Sequence, residues 1–349
     1  MRSTLTELAS GVDAFYASSR SPVPKYQYDG LATLKTNAFE NQIFTNLTIG
    51  GERFEVLPYS WQKYPVALVH PHGQLGFTDS AHIPSIRLQL RSEFIHAVGA
   101  QEALDWFTQV LNSFEIYPSW TLSRVDLYVD VQGWDLSYFD KERFLCRAKD
   151  ISIHEVDGQF SGFNFGKRKS KTITSRIYNK TLELKTSRKF WTTMAWNEKY
   201  DTNQEVYRIE FEFNREALKQ FGLSQSGETL DAISGLWAFA TQQWLTHRDL
   251  TDDSNKSRWP ISPEWTEIQS SSIAGSKIPL ERIQASKDSV KLDALIPALR
   301  GYLTSTGSLM GAEDLKSTMQ KVSDYFAKDE AKTGITFANL ILEKKFRRA

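Results

Sequence analysis

Two segments with strict alternation constrain the fold of this chain more than any other feature. Ser123–Val131 and Glu205–Phe213 each place polar and apolar residues in turn. Because successive side chains of a β-strand point to opposite faces of the sheet, both segments are predicted to be strands with one charged and one apolar face. Shorter segments of similar character predict further strands at Glu52–Leu57, Val66–Val69, Ile86–Leu90, Phe160–Phe165 and Thr172–Tyr178.

An amphipathic helix is predicted among these strands. Within Ala100–Phe114, the residues Leu104, Phe107 and Leu111 recur at steps of three and four, which places them on one side of a helix. Glu142–Lys149 is predicted to be a second, short helix. Helices set between strands of this kind are typical of the α+β class, and we expect a mostly antiparallel sheet.

The chain divides into four predicted parts. Residues 1–45 are predicted to be a loosely structured N-terminal extension, and residues 46–250 to be the strand-rich domain. Residues 251–284 are rich in Ser, Asp, Asn and Pro, which indicates a linker or a long loop. The part 285–349 is predicted to be helical, with helices at Val290–Thr304, Ala312–Lys328 and Ile335–Arg348.

The composition excludes several classes of protein. Hydrophobic residues make up 40% and charged residues 24% of the chain, as in globular domains with a sizeable core. Cys146 is the single cysteine, so a disulfide within the chain is impossible and a reducing cytoplasm is expected. The sequence has neither a secretory signal pattern nor an apolar run of the ~18 residues that a membrane span needs, so no membrane partner is expected.

A basic segment stands out in a chain whose formal net charge is zero. Between residues 167 and 189 there are nine Lys or Arg residues and a single acid, Glu183. Such a local patch can neutralise phosphates even when the total charge cannot. The alternative is a solvated hairpin. The basic residues are Lys167, Arg168, Lys169, Lys171, Arg176, Lys180, Lys185, Arg188 and Lys189.

Four carboxylates occupy the charged faces of the two alternating strands: Asp126 and Asp130 on the first, Glu210 and Glu212 on the second. Arg124 and Arg208 share those faces. If the two strands are neighbours, the carboxylates converge, and their oxygens are ligands that Mg²⁺ and Mn²⁺ favour. The alternative is a polar surface on which the arginines neutralise the acids.

Tyr178 lies within the basic segment, with Arg176 and Lys180 on the same side of an extended chain. A tyrosine hydroxyl titrates near pH ~10, so it attacks a phosphodiester only if its proton is removed and the phosphate charge is neutralised. Nearby Lys or Arg side chains and metal ions perform these two tasks. A surface tyrosine with no chemical role is the alternative.

The order of these segments resembles the replication initiation factor family, also called Rep_trans. That family includes rolling-circle initiators of small plasmids, phage-type initiators and relaxases of integrative conjugative elements. The similarity spans roughly residues 50–250 and is moderately specific as an ordered set. It rests on Arg124–Asp130, Phe165–Ser170, Arg176–Lys180 with Glu183, Arg208–Glu210 and, more weakly, Ser85–Ala103.

The resemblance implies a rolling-circle initiator that nicks one DNA strand at an origin, with Tyr178 as the nucleophile and Arg176 and Lys180 beside it. It implies a 5′-phosphotyrosyl intermediate, a free 3′-hydroxyl that primes a polymerase, and a sheet with helices packed on one face. It also implies Mg²⁺ or Mn²⁺ held by Asp126, Asp130, Glu210 and, as a weaker candidate, Glu212. The DNA contacts assigned from charge and resemblance are Lys167, Arg168, Lys169, Lys171, Arg124 and Arg208, besides Arg176 and Lys180.

The expected partners are single-stranded or melted origin DNA and a host helicase and polymerase. A dimer contact is one role that the C-terminal helices permit. Three other functions remain open: a relaxase for conjugative transfer, a DNA-binding regulator that does not nick, and a metal-dependent nuclease in which water, not tyrosine, attacks. The pair His70 and His72 resembles the ligands of another class of tyrosine nickase, but Pro71 between them and Gly73 after them indicate a turn.

Overall fold

The alternating segments form the centre of one large antiparallel sheet. The computed structural model describes residues 5–41, 45–167, 172–187, 189, 191–274, 280, 287–334 and 336–346. Residues 1–283 form one compact unit and residues 284–349 a second. The strands are β1 (Thr6–Ser19), β2 (Thr45–Ile49), β3 (Glu52–Val56), β4 (Val66–His70), β5 (Gly73–Phe77), β6 (Ile86–Leu90), β7 (Thr121–Gln132), β8 (Phe144–Cys146), β9 (Ile151–Val156), β10 (Gln159–Phe165), β11 (Ile173–Asn179), β12 (Val206–Asn214) and β13 (Leu245–His247).

Helices connect and cover these strands. In the first unit they are α1 (Lys25–Asn41), α2 (Ser92–Val98), α3 (Ala100–Ser113), α4 (Lys180–Ser187), α5 (Trp191–Trp196), α6 (Arg215–Gln220), α7 (Ser226–Asp231), α8 (Ile233–Phe239) and α9 (Pro263–Gln269). The second unit contains α10 (Lys287–Leu309), α11 (Leu315–Thr333) and α12 (Phe337–Phe346). The α+β class and the antiparallel sheet predicted from the sequence are confirmed.

Eleven strands form the main sheet in the order β2-β3-β4-β5-β6-β1-β7-β12-β11-β10-β9, within the described residues. Every neighbouring pair is antiparallel. The two alternating segments, β7 and β12, are direct neighbours, and β11 pairs with the other edge of β12. The strands on which the candidate residues lie are therefore consecutive.

The apolar face of the sheet forms the main hydrophobic core. Val125, Leu127 and Val129 of β7 are buried there, and Phe211 of β12 joins them. Helix α3 covers this face further along the sheet, because its predicted apolar side faces inward. The approach is close: a Cβ atom at Gly73 would lie 2.7 Å from the ring of Phe107, so only glycine fits at that position.

The other face of the sheet is polar, and short helices cover part of it. A small apolar cluster of Leu8, Leu184, Trp196 and Val206 holds α4 and α5 against β1 and β12. We refer to this side of the sheet as the polar face. The helices therefore lie mainly on the apolar face, while α2, α4 and α5 cover part of the polar face.

Three sequence predictions are wrong. The N-terminal extension is not loosely structured: β1 is a 14-residue strand in the middle of the sheet, between β6 and β7, and α1 follows it. The predicted helix Glu142–Lys149 is instead the end of a 3₁₀ helix followed by β8. The predicted linker 251–284 contains α9, which buries Trp265 and Ile268 completely in the core.

These three errors have one physical origin, because contacts distant in sequence overrode local composition. Strand β1 gains backbone partners on both sides, although its own sequence alternates weakly. Trp265 anchors α9 by donating from Nε1 to the carbonyl oxygen of Thr241 at 2.8 Å. Burial of two large apolar side chains stabilises a segment that composition alone assigns to a loop.

Candidate functional site

Strand register gathers the candidate residues on the polar face. Directly opposed residues of neighbouring strands lie on the same face of a sheet. Arg176 is opposite Glu210, Tyr178 is opposite Arg208, and Glu212 is opposite Asp126. The sequence predicted that the acidic strands would converge if they were neighbours, and the register meets that condition.

Tyr178 forms a contact with a carboxylate. Its hydroxyl donates a hydrogen bond to Oε2 of Glu210 at 3.3 Å, and Nη2 of Arg176 binds Oε1 of the same side chain. Arg176 and Lys180 also lie against the tyrosine ring, at 5.5 and 5.7 Å from its centroid. The arrangement therefore combines a hydroxyl, an acceptor for its proton, and two cations.

The electrostatic surroundings keep the Tyr178 hydroxyl protonated. Burial and the negative charge of Glu210 raise the pKa of Tyr178 well above its ordinary value of 10.0. The hydroxyl is thus a poor nucleophile by itself, and its reactivity depends on a group that accepts the proton as the bond forms. Glu210 is 2% exposed and is already within hydrogen-bond distance.

Asp130 and Arg208 are bound to each other. Nε and Nη2 of Arg208 donate to the two carboxylate oxygens of Asp130 at 2.6 and 2.8 Å, and Trp196 donates to Asp130 from Nε1 at 2.8 Å. Both charged side chains are at most 1% exposed. These contacts count against two expectations, because both oxygens of Asp130 already accept hydrogen bonds and the guanidinium of Arg208 is buried against Asp130 rather than exposed to a ligand.

Asp13 is a member of the site that sequence analysis missed. It accepts hydrogen bonds at Oδ1 from Nη1 of Arg208 at 2.7 Å and from the hydroxyl of Ser92 at 2.9 Å. Burial by itself would raise the pKa of Asp13. Hydrogen bonding to His96 and the charge of Arg208 outweigh burial and hold this pKa well below its ordinary value. The sequence offered one signal for Asp13: it is the single acid in the β-prone segment from Val12 to Tyr16.

Arg124 neutralises two acids at once. Its guanidinium binds Asp126 through Nε at 2.7 Å and through Nη2, and Nη2 also lies 2.7 Å from Oε2 of Glu212. Burial raises the pKa of Asp126 to about 8, and the charges of Glu210 and Glu212 add to this effect. Three acids therefore share two arginines here, since Arg176 pairs with Glu210.

The four predicted metal ligands fit a cation only in part. Asp126, Glu210 and Glu212 place three carboxyl groups around two arginines, and the raised pKa of Asp126 means that a cation would have to replace its proton. Asp130 does not fit, because Arg208 and Trp196 occupy its oxygens. Within the described residues, no three His, Cys, Asp or Glu side chains are close enough together to hold a metal ion.

The basic residues have different environments. Lys167 is exposed just after β10, whereas Arg168, Lys169 and Lys171 lie outside the described residues. The Arg176 side chain is half exposed. Lys180 is 3% exposed and donates to Glu183 at 2.6 Å; burial lowers its pKa. Of these residues, Arg176 combines contact with Tyr178 and access from solvent.

The two histidines of the other nickase pattern lie at a turn. His70 ends β4 and Gly73 begins β5, as the sequence indicated. Nδ1 of His70 accepts a hydrogen bond from the backbone of His72, and both rings pack against Trp106. They belong to an aromatic cluster at α3, where desolvation lowers the pKa of His70.

Comparisons with known proteins find similar chains among solved structures. The chain is similar to the rolling circle replication initiator protein from Geobacillus stearothermophilus, with 14% sequence identity and a TM-score of 0.47, over 79% of this chain and 99% of that one. No family model matches the chain, and no curated protein is similar to it. Among the helices that the structure describes, none has the length and apolar character to cross a membrane.

Proposed function

We propose that this chain is a rolling-circle replication initiator that nicks one DNA strand with Tyr178 as the nucleophile. The observation that carries the proposal is the contact of the Tyr178 hydroxyl with Glu210, whose other carboxylate oxygen is bound by Arg176. A proton acceptor and a partly exposed cation thus flank one hydroxyl on the polar face. The order of sequence motifs supports the same function.

The reaction is a transesterification. Glu210 accepts the hydroxyl proton while the phenolic oxygen forms a bond to the scissile phosphorus. The bond from phosphorus to the 3′ oxygen breaks, and that oxygen takes up a proton and leaves as a 3′-hydroxyl. Arg176 neutralises the charge that develops on the phosphate oxygens. The products are a 5′-phosphotyrosyl link on the protein and a primer end for a polymerase.

The DNA at the site must be single-stranded or melted. The Tyr178 hydroxyl lies in a partly buried environment on the sheet, and it meets a phosphate of a separated strand more readily than one in a duplex. Lys167 and Arg176 are the described basic residues that we assign to the DNA backbone. A host helicase and polymerase are the partners that this function requires.

Mg²⁺ or Mn²⁺ is part of the proposal. Asp126, Glu210 and Glu212 are the residues that would hold the ion, and for this they would have to leave Arg124 and Arg176 and come closer together than they are in the described structure. When bound, the ion would supply Lewis-acid polarisation of the phosphate. Asp130 keeps a different role, since it holds Arg208 beneath the site and so fixes the strand that carries Glu210.

A covalent-adduct assay tests the proposal. The purified chain is incubated with supercoiled DNA of its genetic element and with Mg²⁺ or Mn²⁺, then denatured and separated on a gel. We expect an adduct with the wild type and none with Tyr178→Phe. Tyr117→Phe is the control, because Tyr117 is 68% exposed and outside the site, and it should form the adduct normally.

Two outcomes contradict the proposal in different ways. An adduct that persists in Tyr178→Phe would transfer the nucleophile to another tyrosine, with Tyr207 and Tyr128 tested next. Binding of the DNA without nick or adduct would instead identify a DNA-binding regulator.

A further inference from the structure

A row of alternating aromatic and arginine side chains crosses the polar face beside the candidate site. The Arg87 guanidinium lies 5.2 Å from the ring centroid of Trp61 and 5.8 Å from that of Tyr16. The Arg124 guanidinium lies 5.1 Å from the Tyr16 ring centroid as well. All four side chains are partly exposed. We call Trp61, Arg87 and Tyr16 the aromatic row.

The register places the aromatic row on the same face as Tyr178. Tyr16 is opposite Arg124 on β7 and opposite Gln89 on β6, and Arg87 is two residues from Gln89. Strands β6, β1, β7, β12 and β11 are consecutive neighbours. At ~4.8 Å between strands, Tyr16 on β1 lies three strands, or about 14 Å, from the strand of Tyr178. A strand of DNA at the nick can therefore continue across the aromatic row.

Arg87 differs from the arginines of the candidate site. Arg124, Arg176 and Arg208 each bind a carboxylate. In the part of the chain that the structure describes, Arg87 forms no ion pair, and its buried Nε atom has no hydrogen-bond partner. A guanidinium that lies near two rings and has no acid as its partner retains its positive charge for a ligand, and its planar geometry matches that of a phosphate.

Trp61 is held in place by a tight turn. Trp61 and Tyr64 exchange two backbone hydrogen bonds of 3.0 Å, and Gln62 between them has a left-handed φ of 56°. The turn lies flat on β5, because a Cβ atom at Gly76 would be 2.8 Å from Tyr64 and 3.0 Å from Trp61. The indole ring is thus preorganised on the face rather than free to rotate, which lowers the cost of binding a ligand to it.

We propose that Trp61, Arg87 and Tyr16 form a binding subsite for unpaired nucleotides of a single DNA strand. The two rings stack with bases, and Arg87 binds the phosphate between them. Every base has a π-face, so such a surface holds a strand of any sequence, whereas the paired bases of a duplex are inaccessible to it. The subsite rests on the proposed function, since it holds the strand that continues from the nick.

The test measures binding of fluorescein-labelled oligonucleotides of mixed sequence by anisotropy. All variants carry Tyr178→Phe, so that no cleavage occurs. Trp61→Leu and Tyr16→Leu remove a ring but keep apolar contact, and each should weaken single-strand binding about 5-fold or more, because stacking contributes that much per base. Binding of a duplex of the same sequence should change less than about 2-fold.

Two further probes separate stacking from charge. For an oligonucleotide whose sites are abasic, the Leu variants should bind as well as the parent. Arg87→Gln should weaken the binding of the normal and of the abasic oligonucleotide alike. It should also reduce the slope of log affinity against log salt concentration by about 1. Trp61→Phe and Tyr16→Phe retain a ring and should bind nearly normally. Phe139→Ala, at an 87% exposed position outside the row, is the control and should have no effect.

Equal weakening of normal and abasic strands, or no weakening by either Leu variant, would overturn the subsite. A fall in duplex binding as large as that in single-strand binding would also overturn it. The binding assay involves no cleavage. Its result can therefore contradict the subsite independently of whether the adduct assay contradicts the proposed function. A urea unfolding midpoint equal to that of the parent, within experimental error, shows that a variant is folded. If a Leu variant unfolds, the binding of Arg87→Gln and of the two Phe variants still tests the subsite.

Discussion

Across β7, β12 and β11, every arginine of the candidate site pairs with a carboxylate, whereas across β1 and β6 Arg87 lies between aromatic rings. The first half of the polar face has a buried ion pair at its centre, since Arg208 and Asp130 are at most 1% exposed, and its half-exposed Arg176 is also paired with an acid. The second half leaves its cation partly exposed and without an acid among the described residues.

The difference follows from burial. A buried charge is stable only when it is paired and hydrogen-bonded, so the first half cannot leave an arginine without an acid. A partly exposed guanidinium keeps water around it and gains from ring contacts, so the second half can. Ion pairs fix the positions of reacting groups, whereas a cation without an ion pair attracts an anion. We therefore assign chemistry to the first half and strand binding to the second.

The largest expected effect is on catalysis in the paired half. Glu210→Gln keeps the shape of the side chain but cannot accept the Tyr178 proton, so the rate of adduct formation should fall about 10²–10⁴-fold. Quenched time courses on a single-stranded substrate measure that rate, and anisotropy should show unchanged strand binding at the aromatic row. Glu216→Gln, at a half-exposed position of α6, is the matched control. A normal rate for Glu210→Gln would exclude Glu210 as the base.

The second effect is on stability, and it tests the pairing itself. Arg208→Met leaves Asp130 and Asp13 buried without their cation, so the free energy of unfolding should fall by about 3–5 kcal/mol. Urea unfolding measures this change. Arg258→Met removes a 69% exposed arginine paired with Asp253 and should cost about 0–1 kcal/mol.

Arg87→Met sharpens the same comparison. It removes ring contacts but no ion pair, so we expect a loss of about 1 kcal/mol or less. Equal costs for Arg208→Met and Arg87→Met would show that the two halves do not differ in this way.

A smaller effect is expected from pH. Burial raises the pKa of Asp126 from 3.8 to about 8, so between those values the folded chain keeps a proton that the unfolded chain releases. Stability from this group therefore falls as pH rises through that window. Asp126→Asn cannot titrate. The unfolding free energy of Asp126→Asn minus that of the wild type should therefore increase with pH, by up to about 1 kcal/mol per pH unit between pH 5 and 8. Parallel pH curves for the two proteins would contradict the raised pKa.

The smallest effect is expected from Gly76→Ala, which disturbs the aromatic row without changing any of its side chains. The new methyl group has to displace Tyr64 and Trp61, so single-strand affinity should fall about 3-fold, on the scale of part of one stacking contact. Anisotropy measures it. Gly30→Ala is the control, because nothing lies within 4 Å of a Cβ atom there, and it should leave binding unchanged. Equal binding by the two variants would show that Trp61 is not held by this contact.

Much of the sheet could be predicted from local pattern. Ile86–Leu90 is a strand with the predicted bounds, and Ser123–Val131 and Glu205–Phe213 are extended or shifted by at most two residues at either end. Strand β1 could not be predicted in this way, because bulges interrupt its alternation at three places. Trp265 likewise lies in a segment whose Ser, Asp and Pro content indicates a loop, and only burial in the core stabilises its helix.

The sequence by itself determined which side chains share a face. The period of two in a strand is local, so Arg176 and Tyr178 had to lie together, and so did Glu210 and Glu212. Only the tertiary structure decided which of these groups bind each other. Asp13 contacts Arg208 across 195 residues of chain, and Arg87 lies between Trp61 and Tyr16 because three separate segments meet there. Strand order and register set these contacts, and they follow from the packing of the whole core rather than from any local segment.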